Sequence, residues 1–269
     1  MGDFGMCKTF LVTSCKGGVG KSTFAANLSM ALASRQKKVV LIDMDLGNRS
    51  LDLILGCEDK LVYDISDVCR GTVEYTDALI ELGAPRNFCF IGAPFMYDDS
   101  ISTESLGGVI RKIREDMRPD YVILDTSGGA DVSVQLCASV AEEALIVSSR
   151  NPTALRAAAK SAALLDELGV SSQKLVINGF ELFAEDSEGR AGVLEMIDST
   201  GLTLLGIIPK DRQMEILQEK GKLSLEAKGV RSSNAFLNVA ARLEGERVPL
   251  LKKIKGLGER RRRKLLSGN

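Results

Sequence analysis

The residues Lys16-Gly17-Gly18-Val19-Gly20-Lys21-Ser22-Thr23 bring glycines, lysines and hydroxyls together in one short run. Glycine-rich turns let a backbone curl so that its N–H groups converge on anionic oxygens. A lysine next to such a turn suits the terminal phosphates of a nucleotide, and a hydroxyl after it suits Mg²⁺. Lys21 and Ser22 hold those two positions. Two other points carry acids at the end of an apolar run. Val39-Val40-Leu41-Ile42 leads into Asp43-Met44-Asp45, and Tyr121-Val122-Ile123-Leu124 leads into Asp125. Asp125 is placed to hold Mg²⁺ directly or through water.

This chemistry works only if strands and helices hold the pieces together. Thr9–Thr13 reads as a buried strand entering the glycine turn, and Phe24–Ala33 as a helix leaving it. The start of that helix would add partial positive charge for phosphate. Further strands are expected at 38–42, 121–124, 144–148, 174–177 and 204–208, with helices at 104–115, 154–168 and 232–243. Near-continuous apolar strands alternating with helices predict an α/β fold. Its core would be a doubly wound, mostly parallel sheet with helices on both faces. In such sheets ligands bind beyond the carboxyl ends of the strands, where Asp43, Asp45 and Asp125 fall.

Composition narrows the chemistry. The 269 residues contain no histidine, which excludes imidazole acid–base catalysis and histidine metal sites. The six cysteines are scattered without a C-x-x-C pair, so no zinc site or disulfide framework is indicated. No apolar run reaches the length of a membrane span, and Met1–Lys8 does not read as a signal peptide. A cytoplasmic protein is expected. Charge is unevenly spread: residues 248–269 carry eight basic side chains and one acid, a net +7 that leaves −8 for the rest of a chain whose overall charge is −1. The expected organisation is a domain over 1–247 followed by a basic tail over 248–269.

A strict phosphate-loop pattern has glycine at position 15, where this chain has Cys15. The lysine at position 16 points elsewhere. The run resembles the deviant Walker A loop of the MinD/ParA P-loop ATPases, K-G-G-V-G-K-[ST]-[ST]. On that resemblance Lys16 reaches across an ATP-bridged homodimer to the partner's nucleotide. Asp43-Met44-Asp45-Leu46-Gly47-Asn48-Arg49-Ser50-Leu51-Asp52 is similar to the first switch of the MinD branch, and Asp64-Ile65-Ser66-Asp67-Val68 to the stretch that follows it. The resemblance gives Asp43 a part in holding Mg²⁺ and Asp45 the task of orienting the attacking water, beside Lys16 and Lys21. Asp125-Thr126-Ser127-Gly128-Gly129 stands where the family pattern reads D-x-P-A-G. Leu175-Val176-Ile177-Asn178 and Gly206-Ile207-Ile208-Pro209-Lys210-Asp211 resemble the family's base-binding segments, making Asn178, Pro209 and Asp211 adenine-pocket candidates. The residues from Lys16 to Thr23 complete the nucleotide contacts.

The tail extends the resemblance. If 250–257 is helical, Leu250, Leu251, Ile254 and Leu257 fall near one apolar face with Leu265, among lysines and arginines. In the MinD branch such a helix binds an anionic membrane surface when ATP-bound dimers form. The implied protein is an ATPase, with ATP and Mg²⁺, that regulates division-site placement from the inner face of the cell membrane. An activator or inhibitor protein of the division machinery is implied as partner. The alternatives are a ParA-like partition ATPase that binds nucleic acid through Arg260–Lys264, and a low-turnover regulator of flagellar placement. The cluster-binding reductases of this fold carry a cysteine just after the strand-end acid, whereas Thr126–Gly129 has none.

Overall fold

The computed structural model describes residues 7–82, 87–96, 99–182, 191–254 and 257–267. Eight strands form one sheet: β1 (Lys8–Ser14), β2 (Val39–Met44), β3 (Ile80–Leu82), β4 (Phe88–Ile91), β5 (Tyr121–Gly128), β6 (Glu143–Ser148), β7 (Gln173–Phe180) and β8 (Thr203–Pro209). Their order across the sheet is β3-β4-β2-β5-β1-β6-β7-β8, parallel except for β3 against β4. The helices are α1 (Lys21–Ser34), α2 (Leu51–Leu55), α3 (Ile65–Cys69), α4 (Tyr75–Ala78), α5 (Thr103–Met117), α6 (Val132–Ala138), α7 (Pro152–Glu167), α8 (Val193–Thr200), α9 (Arg212–Gln218), α10 (Arg231–Leu243) and α11 (Glu259–Ser267).

The sequence explains this layering. β2 is buried along its whole length and β1 everywhere but Lys8, because helices cover both faces of the sheet. A strand with no wet face needs no polar alternation, hence Val39-Val40-Leu41-Ile42. Helix α1 is buried on nearly every side, which its Ala- and Leu-rich sequence allows. It lies between the sheet and α10, where the rings of Phe24 and Phe236 meet at 6.2 Å. By contrast, α5 and α10 bury a single apolar stripe each. The sheet reverses its winding beside β1, so the glycine turn opens at the switch point of the fold.

The tail departs from expectation. Residues 249–253 form turns rather than a helix, with Leu251 and Lys253 at φ of 55° and 57°. Leu251 and Ile254 are only 3% and 4% exposed and belong to the core, while Leu250 and Leu257 are half-buried against it. The Nδ2 of Asn238 donates to the Lys252 carbonyl at 2.8 Å, and that of Asn234 to the Lys253 carbonyl at 3.1 Å. Packing therefore continues past the boundary expected at 247/248, to Ile254. The common apolar face expected for Leu250, Leu251, Ile254 and Leu257 is corrected accordingly: α10 and β8 already bury its two middle members. The helix of the tail is α11 instead. Lys255 and Gly256, and the side chains of Lys264 and Leu265, lie outside the described residues. Among the described residues no helix is long and apolar enough to cross a membrane.

Candidate nucleotide-binding site

The glycine turn lies between β1 and α1, as its spacing requires. Gly20 is the N-cap of α1 at φ 87°, a left-handed conformation that favours glycine. A Cβ there would also fall 2.3 Å from the Asn178 amide nitrogen. The first turn of α1 carries no acid, so its N–H groups and partial positive charge are available to an anion. Gly17 and Gly18 are exposed, and Val19 is buried beneath them. The loop is fastened from outside: the Cys15 N–H donates to Ser161 of α7 at 2.7 Å, and Asn178 donates to the Val19 carbonyl at 2.8 Å.

The two lysines have different surroundings. Lys21 is buried, 7% exposed, at the start of α1. Lys16 lies at the rim, its ammonium donating to the Thr153 hydroxyl at 2.6 Å. Thr153 in turn donates to Asn151, the N-cap of α7. Buried Lys21 is placed for the phosphates of its own chain. Lys16 is held on its own chain by a single hydroxyl.

The acids converge by register. Asp43 and Asp125 are direct neighbours on β2 and β5. Burial pushes the Asp43 carboxyl up to about 7, although the N–H groups of Asp45 and Leu51 donate to it at 2.9 and 3.2 Å. Asp125 is raised well above the usual carboxylate range, first by burial and then by Asp43. Ser22 and Lys21 oppose that shift. The Ser22 hydroxyl lies near enough to favour the charged form, yet both Asp125 oxygens are sealed from solvent with no hydrogen bond of ordinary geometry. An orphaned buried carboxylate beside a hydroxyl and a second carboxylate is the donor set a hard divalent cation would satisfy. The residues therefore fit Mg²⁺, with Ser22, Asp43 and Asp125 as its holders. Asp45 is partly exposed and accepts from Asn48 at 3.2 Å.

A cavity of about 610 Å³ opens beside the loop. Gly18, Val19, Gly20 and Thr23 form one wall, and Asn178, Pro209 and Asp211 lie on others. Two of these candidates also hold the site together. The Asn178 amide hydrogens staple β7 to the loop. Asp211 spends both carboxylate oxygens on backbone, accepting from Gln213 at 3.1 Å as the cap of α9 and from Ser232 at 2.9 Å. It shapes the wall of the cavity as well as lining it. Sequence reasoning missed Arg150, Met214 and Gln218, which also line the cavity. Arg150 sits 5.0 Å over the Phe180 ring and donates to the Ala191 carbonyl, and Gln218 accepts from Thr23 at 3.0 Å. Their one signal is position: Arg150 follows the carboxyl end of β6, and α9 follows β8.

The ParA family model, described as NUBPL iron-transfer P-loop NTPase, matches residues 5–244. A septum site-determining protein MinD from Synechocystis is 34% identical, covering 98% of this chain and all of its own length. The chain belongs to the MinD/ParA family of P-loop ATPases. MinD of Bacillus subtilis is 30% identical over 91% of this chain and 92% of its own length. Among solved structures, the MinC:MinD cell division protein complex of Aquifex aeolicus superposes with a TM-score of 0.83 at 31% identity, covering 91% of this chain and 98% of that one. The protein is thus a MinD-like ATPase that binds ATP with Mg²⁺. Its six cysteines are free, and among the described residues no group of three or more His, Cys, Asp or Glu forms a metal cluster. A P-loop site needs none, because hydroxyl, water and phosphate oxygens supply most of the ligands.

Proposed function

We propose that the protein is an ATP-dependent homodimeric switch that places the division site by binding the inner membrane surface in its ATP state. The contrast between the two loop lysines carries this reading: one is buried for its own phosphates, the other is at the rim and held by one hydroxyl. In this reading Lys21 and the N–H groups at the start of α1 hold the phosphates. Ser22, Asp43 and Asp125 hold Mg²⁺, which draws charge from the phosphate oxygens. Asp45 orients the attacking water at the edge of the site. Lys16 leaves Thr153 and stabilises charge on the partner's transferring phosphoryl group, a contribution of the kind worth about 10³-fold or more in phosphoryl transfer. Hydrolysis removes the contact that Lys16 bridges, and the dimer separates.

The surface contact belongs to α11, beyond the last core residue Ile254. Its Arg260, Arg261 and Arg263 are exposed, while Leu266 packs inward. Each cation near an anionic surface contributes about 1 kcal/mol, so pairing two tails in a dimer raises retention steeply. A MinC-like division protein is the partner class that fits. Co-sedimentation of the full chain with anionic vesicles tests the reading: pelleting is expected with ATP and Mg²⁺ and not with ADP. Equal pelleting in both nucleotides, or ATP-dependent capture on plain duplex DNA instead of vesicles, would overturn it.

A further inference from the structure

Strand β5 outlasts its apolar stretch. Tyr121–Asp125 pairs with β1 inside the core, and after a bulge the pairing resumes with Ser14 opposite Gly128. The Gly129 N–H then donates to the Ser14 carbonyl at 3.1 Å. The segment after Asp125 is thereby fastened to the root of the phosphate loop. A Cβ on Gly128 would lie 3.0 Å from both Cα and N of Gly17, and 3.2 Å from the Lys21 ammonium. The Gly17 atoms are backbone, in a loop anchored on either side at Cys15 and Val19, and yield less readily than the end of a side chain.

A second set of contacts holds the same segment from its far side. The Ser127 hydroxyl donates to Asp131 and lies 2.8 Å from the Ser133 hydroxyl, which donates to Asp131 at 2.9 Å. Thr126 adds a bond to the Val12 carbonyl at 3.0 Å. Ser127 and Gly128 are the two positions where the family pattern has proline and alanine. The two departures are physically linked: the serine enters a polar cluster, and the glycine lets the segment lie closer to the loop than a side chain would permit.

We propose that Gly128 is a positioning residue for hydrolysis. Its bare Cα forms the wall of the space around the Lys21 ammonium that receives the terminal phosphate, and the Ser127–Asp131–Ser133 cluster holds that wall in place. The inference rests on the ATPase reading and adds a role for residues that reading leaves unused. A methyl at 128 is tighter than ordinary contact against Gly17 and Lys21, so the wall and the loop must part by a few tenths of an ångström and the space around Lys21 changes with them. The methyl presses on the Gly17 N–H and the Lys21 side chain, and the N–H groups from Gly18 onward are left to hold the rest of the nucleotide. A displacement near 1 Å at a reacting centre can cost about 100-fold in rate, so a few tenths of an ångström is worth roughly threefold to tenfold.

The test compares the full-length wild type with Gly128→Ala and Asp131→Ala in steady-state ATP turnover, ADP affinity and amide exchange over 126–134. Gly128 is exposed and its variant should melt close to the wild type; Asp131 also caps α6 by accepting from the Val134 N–H, so its variant should melt lower, and turnover is compared well below both transitions. Gly128→Ala is expected to lower kcat roughly threefold to tenfold, with KM and ADP affinity within about twofold, and to speed exchange at 126–131. Asp131→Ala should shift both readouts the same way by less. Unchanged kcat with unchanged exchange would overturn the proposal. So would a fall in ADP affinity matching the fall in kcat, which would mean a damaged loop. If the wild type binds ATP without turning it over, the ATPase reading fails, and the exchange rates still decide whether Gly128 fastens the segment.

Discussion

The carboxyl edge of the sheet and the carboxyl-terminal tail both carry clustered cations, and they use them in opposite ways. At the edge, Lys21 is buried where α1 and the glycine turn enclose it, and two buried acids face the same space. In the tail, Arg260 and Arg263 of α11 are exposed while the apolar residues before them are drawn into the core. The edge is built around a ligand it must hold precisely enough to react. The tail is rooted by Leu251 and Ile254, and on the proposed reading α11 beyond them is its working end. Shared charge therefore says little about role until burial is known.

The largest effect should come from the edge. Lys21→Ala removes the buried cation facing the phosphates and is expected to lower ATP turnover about 10³-fold or more, measured by phosphate release, with the melting temperature nearly unchanged. Retained turnover would mean that Lys21 is only a structural helix residue. The root of the tail gives a smaller effect of a different kind. Leu251→Ala removes a core side chain and should cost about 2–5 kcal/mol in urea unfolding, while turnover of the folded protein stays near wild type. A neutral result would place Leu251 outside the core and restore the apolar face expected from its sequence.

The edge was legible because its chemistry is local. Strand, glycine turn and Lys-Ser at a helix start are contiguous, so Lys16–Thr23 could be read without knowing the topology. Asp43 and Asp125 were readable as strand ends, but only the β2–β5 register makes them neighbours. The roles of Asn178 and Asp211 depend on partners far along the chain, Val19 and Ser232, which no local pattern announces. The same holds for Arg150 and Gln218. In the tail, leucine spacing suggested an amphipathic helix over 250–257. Spacing records which residues want burial and not what buries them; here the groove between β8 and α10, closed by Asn234 and Asn238, takes them first. The short strands β3 and β4 were missed for a related reason: a strand of three or four residues has too few positions to show a period.

The division between root and working end is tested most directly by removing residues 258–269 alone and repeating vesicle co-sedimentation with ATP and Mg²⁺. Loss of ATP-dependent pelleting, with melting temperature and ATP turnover equal to those of the full chain, is the result this account predicts. Pelleting that survives the deletion would contradict it and return the membrane contact to the residues before α11.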